Sequence, residues 1–189
     1  MRIIGGTNRG TNLTACKSET VRPTSSRTRE ALFNILTGGR FAFELEGTQL
    51  IDACAGSGAL GLEALSRGAT SVVFCERDRE ALSVLKKNIA KLGYETQAKI
   101  LSGDITGLRA WHAQPVDLLL CDAPYDSGLT RDIVVLLAGL GAFAQNCLIA
   151  CEVRHTETII LPESFEFCDH RRYGMARLIF FRYRSDYLR

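Results

Sequence analysis

The sequence predicts an α/β fold: a mostly parallel sheet with helices on both faces, closed by an antiparallel pair at one edge. Three observations predict it. From residue 50 onward, short apolar runs of strand character alternate with segments of helical period. The first such run ends in a glycine-rich turn that opens directly into a helix. Further on, two β-rich runs bracket Tyr173-Gly174 and read as a hairpin. In a fold of this kind crossovers are right-handed, and ligands collect at the carboxyl ends of the strands.

Taken in order, residues 1–13 read as two short extended pieces around a Gly/Asn-rich turn, a β-hairpin with little apolar content that is expected to bury little. Residues 16–26 form a connector, in which Pro23 biases Arg22 toward extended backbone. Ser25 or Ser26 caps a helix to about Thr37, stopped by Gly38-Gly39, with Ala31, Leu32, Ile35 and Leu36 as its apolar face. Strand 50–54, helix 59–67 and strand 71–76 follow. Asp78 caps a helix through Leu92 with Leu82, Leu85, Ile89 and Leu92 on one face and Gly93 as its stop. Strands at 98–103 and 117–122, a helix at 129–140, a strand at 147–153 and the closing runs 165–172 and 176–183 complete the pattern. The expected organisation is a basic hairpin and helix over residues 1–40, an RNA-binding appendage, and the α/β domain over 41–189.

The bulk properties narrow the class. At 189 residues the chain suits one α/β domain with a small appendage. No apolar run reaches membrane-spanning length, and the N-terminal stretch lacks the layout of a signal peptide. Of the seven cysteines, Cys54, Cys75, Cys121, Cys147 and Cys151 sit singly in apolar runs, as in a reducing cytoplasm. There is no C-x-x-C pair, so no metal site is expected. Net charge is only +2, but residues 1–40 hold seven Lys and Arg against Glu19 and Glu30. A basic front on a mildly acidic body suits a polyanion, and solubilising surface charge is the plain alternative.

Gly56, Gly58 and Gly61 have the G-x-G-x-x-G spacing, and Glu76 ends the next strand twenty residues past Gly56, where such folds place a carboxylate for ribose hydroxyls. Asp52 lies four residues before Gly56, where it would oppose a pyrophosphate. S-adenosylmethionine has no phosphate and carries an ammonium and a sulfonium, which an acid attracts. The turn therefore reads as a pocket for that nucleoside. Asp52, Glu76, Asp104 and Asp122 all follow apolar runs, so the fold gathers four acids on one rim. Asp104 could meet the adenine amino group or could cap the short segment after it.

Asp122-Ala123-Pro124-Tyr125 follows the fourth strand. An exocyclic amine on a base is a poor nucleophile because its lone pair is delocalised into the ring. The Asp122 carboxylate and the Ala123 carbonyl, aimed by Pro124, could accept its two N–H bonds and free that pair. Tyr125 could stack on the base. A plain Asp-x-Pro turn is the alternative, and the upstream glycine motif favours catalysis.

These residues carry a resemblance. Gly56-Ser57-Gly58, Glu76 and the Asp-x-Pro-Tyr tetrad resemble class I S-adenosylmethionine-dependent methyltransferases of amino groups, a Rossmann-like fold. More narrowly, Arg2-Ile-Ile-Gly-Gly, Arg9-Gly10, Arg22-Pro-Thr, Arg27-x-Arg29-Glu-Ala-Leu-Phe-Asn, the stretch from Asp52 to Ala64 and Arg172-Tyr-Gly174 resemble the RsmD family. The likeness runs from Arg2 to about Arg182. It implies methylation of guanine N2 in bacterial 16S rRNA, with the assembled small ribosomal subunit as the expected substrate and a cytoplasmic monomer as the expected form. It also implies cofactor contacts at Asp52, Gly56, Gly58, Gly61, Glu76 and Asp104, and target-base contacts at Asp122 and Tyr125. Arg2, Arg9, Arg22, Arg27 and Arg29 become candidates for RNA contact. One departure stands out: the family usually has Asp-Pro-Pro-Tyr or Phe, and this chain has Ala123 at the first proline. The carbonyl survives that change and some rigidity is lost. A DNA adenine-N6 methyltransferase and an inactive RNA-binding module are the competing readings. A dehydrogenase is disfavoured by Asp52.

Overall fold

In the computed structural model, described for residues 1–16, 26–39 and 41–185, the chain alternates strand and helix around one seven-stranded sheet. Its helices are α1 (Ser26–Thr37), α2 (Ala59–Ser66), α3 (Arg79–Leu92) and α4 (Leu129–Gly139). Its strands are β1 (Gln49–Ala53), β2 (Ser71–Glu76), β3 (Ala98–Ser102), β4 (Val116–Cys121), β5 (Phe143–Arg154), β6 (Phe165–Tyr173) and β7 (Ala176–Tyr183). The strand order is β3-β2-β1-β4-β5-β7-β6. Strands β1 to β5 pair in parallel, and β7 and β6 close the sheet antiparallel, as the alternation and the final hairpin predict.

Both faces of the sheet are covered, so the strands read as nearly continuous apolar runs. Leu50, Val72, Phe74, Leu118, Leu120 and Phe180 face one core with α1, α2 and α3. Ile51, Val73, Leu119, Ile149 and Phe181 alternate with them and face α4 in a second core. The chain reverses its winding at β1, whose neighbours are β2 and β4. That switch point opens a crevice at the carboxyl ends of the strands.

Local chemistry sets both ends of α3. Asp78 accepts the Ala81 amide at 2.8 Å and starts α3, and Gly93, at φ 74°, ends it. The buried face of α3 includes Ala81, Val84 and Asn88, while Leu82, expected on it, is only half-buried. Strand β5 begins four residues before its expected start. Gln145 and Asn146 look like loop residues, but the strand passes through them with Asn146 at φ 66° and a register shift against β4.

The N-terminal hairpin forms, with a bridge between Arg2 and Asn12, but it does not bury little. Ile3 and Leu13 sit in the same core as α1 and α2. The buried Glu63 carboxylate of α2 accepts the Ile4 and Gly5 amides at 2.8 Å each and pairs with Arg67. Asn88 of α3 exchanges hydrogen bonds with Thr14 and donates to the Ser57 carbonyl at 2.9 Å, tying the hairpin strand to the glycine turn. These bonds to the hairpin are made 58 to 74 positions apart in sequence, which is why a short polar hairpin can pack so firmly.

Candidate functional site

A cavity of about 700 Å³ lies over the carboxyl ends of β1, β2, β4 and β5, at the switch point. Gly56, Glu76, Asp104, Asp122 and Tyr125 all line it. The sequence placed Asp52, Glu76, Asp104 and Asp122 on one rim, and all four line this cavity.

Glu76 is the best-anchored of the acids. Its carboxylate accepts the Gly56 amide at 2.7 Å and the amides of Arg77 and Asp78 at 2.8 Å each. Three backbone donors thus fix one carboxylate beside the glycine turn, with lone pairs left for hydroxyl donors. Of the two roles considered for Asp104, the structure shows the cap. Asp104 lines the cavity, and it caps a short 3-10 turn at Ile105–Gly107 by accepting the Thr106 amide at 2.9 Å and hydroxyl at 2.7 Å. Those hydrogen bonds, with Arg77 3.7 Å away, hold its carboxyl below the usual range.

Of the other expected cofactor contacts, Asp52 lines the cavity and Gly58 and Gly61 do not. Asp52 reaches the cavity wall but is only 1% exposed, and it accepts the Gly61 amide at 2.8 Å. Burial pushes its carboxyl well up, and the nearby Asp122 and Glu76 push the same way. Asp52 anchors the first turn of α2. Gly58 and Gly61 are absent from the cavity lining. A Cβ on Gly61 would lie 2.4 Å from the Phe74 ring, and one on Gly58, at φ 82°, would lie 2.4 Å from Leu85. Gly61 lets α2 close onto the sheet, and Gly58 leaves room for Leu85 of α3, both behind the cavity wall.

At the other end of the cavity, Asp122 stands half-buried and its amide donates to the Ala53 carbonyl at 3.4 Å. Ala123 is buried and Pro124 exposed. The Tyr125 hydroxyl donates to Glu152 Oε1 at 2.6 Å, and the Arg154 guanidinium lies 5.6 Å from the Tyr125 ring centre while also bridging to Asp126 at 2.6 Å. The ring is therefore held at its tip and along one face. Sequence reading missed Glu152 and Arg154. A fifth acid inside an apolar strand was the available signal for Glu152.

The arginines separate. Arg2, Arg9 and Arg27 are exposed. Arg27 precedes Thr28, which lines the cavity. Arg9 follows Asn8, whose amide side chain reaches the Leu92 carbonyl at the far end of α3. A 14-residue helix puts it about 20 Å from the cavity end. Arg29 is fully buried, donating to the Arg2 carbonyl at 2.6 Å and facing Glu63 at 3.9 Å, so its candidacy for RNA contact is overturned. Its charge balances Glu63 inside the core. Arg22 lies outside the described residues.

Among the described residues, no group of three or more His, Cys, Asp or Glu is placed to hold a metal ion, and no helix is long and apolar enough to cross a membrane.

Comparison with known proteins agrees with this geometry. The family model described as Conserved hypothetical protein 95, the RsmD family, matches residues 1–182. The chain belongs to the RsmD family. Ribosomal RNA small subunit methyltransferase D of Haemophilus influenzae is 33% identical over 179 residues, covering 93% of this chain and 90% of that one. The protein of the same name from Escherichia coli K12 is 38% identical over 152 residues, 80% of this chain and 74% of its own. The solved structure of yhhF from Escherichia coli superposes with a TM-score of 0.84 at 31% identity, covering 97% of this chain and 98% of that one. This chain thus has the α/β methyltransferase fold of the RsmD family, with its antiparallel C-terminal strands.

Proposed function

We propose that this chain transfers a methyl group from S-adenosylmethionine to the exocyclic N2 of a guanine in 16S rRNA. The single observation that carries the reading is that the anchored Glu76 and the Asp122–Tyr125 tetrad line one cavity in an RsmD-family chain.

The residues present fit a nucleoside without a pyrophosphate. A pyrophosphate at this turn needs the amides of the glycine loop and of the first turn of the helix. Here Gly56 N–H is committed to Glu76 and Gly61 N–H to Asp52. Both amides are already taken by carboxyl groups of the chain itself. Glu76 is placed to hold the ribose hydroxyls and Asp104 to flank the adenine, with Gly56 beside the methionine part. The cofactor supplies an electrophilic methyl group on a sulfonium.

The protein's own contribution is to position and activate the amine. The Asp122 carboxylate and the Ala123 carbonyl accept its two N–H bonds and restore the nitrogen lone pair. Asp122 or a water takes the proton that becomes acidic on transfer. Tyr125, fixed by Glu152 and Arg154, stacks on the base, which must leave its own stack to reach the cavity. Ala123 keeps the carbonyl that the family's proline supplies, and Pro124 still restricts its backbone. The enzyme is active and slower than a proline-bearing relative.

The names of the relatives support rRNA of the small subunit as substrate, and the assembled subunit in the cytoplasm, met by a monomeric enzyme, is the proposed setting. The test is transfer of labelled methyl to small subunits from cells lacking this protein, with the product nucleoside mapped by mass spectrometry. N2-methylguanosine at one 16S position is expected. No transfer, with cofactor binding intact, overturns the proposal.

A further inference from the structure

We infer that Glu152 reads the edge of the target base, accepting the ring N–H beside the amine held by Asp122, and so makes the site select guanine. This role rests on the proposed function.

The first support is register. Cys121 of β4 pairs with Cys151 of β5 in parallel, so Asp122, just past the end of β4, and Glu152, the next residue of β5, stand side by side. Both line the cavity. Parallel partners point to the same side of a sheet, so the two carboxyl groups face one space.

The second support is the tyrosine. The Tyr125 hydroxyl lies 2.6 Å from Glu152 Oε1. A base stacked on that ring lies one van der Waals contact above it, with its edge over the ring's perimeter. Glu152 stands at that perimeter. Its bond to Tyr125 also fixes the carboxylate, so little freedom remains to be lost when a base arrives.

The third support is donor–acceptor count. Ionised carboxylates only accept. Glu152 is just 8% exposed, so a mismatched contact there is not rescued by solvent. Guanine presents its N1–H next to its N2 amine, an unbroken row of donors. Adenine and cytosine each present a ring-nitrogen acceptor next to their amine, and that lone pair would face a carboxylate. Two adjacent acceptors therefore admit guanine and repel the other amino bases.

The test compares two reconstituted small subunits whose 16S rRNA carries guanine in one and 2-aminopurine in the other at the mapped position. 2-Aminopurine keeps the exocyclic amine and replaces N1–H by an acceptor. The native enzyme is expected to bind the guanine subunit, with no methyl donor present, and to methylate it at least about tenfold better than the analogue. Glu152→Gln, whose amide can donate to an acceptor, is expected to close most of that gap with donor binding unchanged by calorimetry. Tyr125→Phe is expected to slow both substrates and keep the gap. Equal treatment of the two subunits by the native enzyme overturns the role of Glu152 alone, and this comparison needs no variant to fold. A gap that persists in a folded Glu152→Gln does the same. Transfer to neither subunit overturns the proposed function and this role with it.

Discussion

The Glu76 carboxylate accepts the Gly56 amide at 2.7 Å across twenty positions of sequence, locking the end of β2 to the turn after β1. The bond both shapes the turn and aims an acid into the cavity. Hydrogen bonds to a charged group contribute about 1.5–3 kcal/mol each. Glu76→Ala is therefore expected to weaken S-adenosylmethionine binding by at least about tenfold, read by calorimetry. Glu76→Gln should recover part of the loss, since its amide oxygen can still accept one backbone donor. Unchanged affinity in Glu76→Ala would place the ribose elsewhere.

Asp52 carries a pH signature. Its folded carboxyl titrates above the 3.8 of an unperturbed aspartate, chiefly through burial. Between those two pKa values the folded state holds a proton that the unfolded state has released. Stability therefore falls as pH rises through that window, and the loss is complete above the raised folded pKa. Asp52→Asn removes the titration and keeps an oxygen for the Gly61 amide. Chemical denaturation at several pH values is expected to show the variant gaining on the native chain as pH rises from about 4, with no gain below that. A constant difference would mean that Asp52 titrates normally.

The strands and helices were legible because both faces of the sheet are covered and the caps are local. Asp78 and Gly93 bracket α3 within the sequence itself. What stayed hidden depends on distant partners. Nothing near Arg29 says that Glu63, 34 positions away, draws it into the core. The burial of Ile3 follows from the same carboxylate holding the amides of Ile4 and Gly5. Gly61 matches a cofactor motif by spacing, yet its lack of a side chain answers to Phe74. Glu152 gains its place from strand register, which no single stretch of sequence displays.

Arg2 and Arg9 are exposed on a hairpin that the core holds rigidly, so they can present charge at low entropic cost. Reversing both to Glu is expected to weaken rRNA binding and to flatten its salt dependence by about 0.7–0.9 in logarithmic slope for each phosphate that is no longer neutralised. Arg27, beside the cavity, is expected to neutralise a further phosphate. Arg29→Met should leave the slope alone and lower the stability of the fold, because it removes one of the two guanidinium groups facing the buried Glu63 and the donor to the Arg2 carbonyl. An unchanged slope in the Arg2 and Arg9 variant would move the RNA surface to the cavity side of the molecule.

The tetrad permits a paired prediction on the amine. Asp122→Ala removes one of two acceptors while leaving the Glu76 end of the cavity intact, so the methyl donor should still bind. Transition-state interactions of this kind are worth roughly 10²–10³ in rate, and single-turnover transfer should fall by at least that much. Ala123→Pro works in the opposite direction. It keeps the carbonyl and narrows the backbone freedom ahead of Pro124, a change that contributes about 0.4–1 kcal/mol where the native conformation tolerates proline. If that restriction is felt in the transition state, kcat rises about two- to fivefold with KM for the donor unchanged. The position is buried, so a folding penalty must be excluded by measuring thermal stability alongside the rate. A stable Ala123→Pro enzyme with unaltered kcat would show that the Ala123 carbonyl is already held as firmly as the reaction needs. Retained transfer in Asp122→Ala would show that another group accepts the amine.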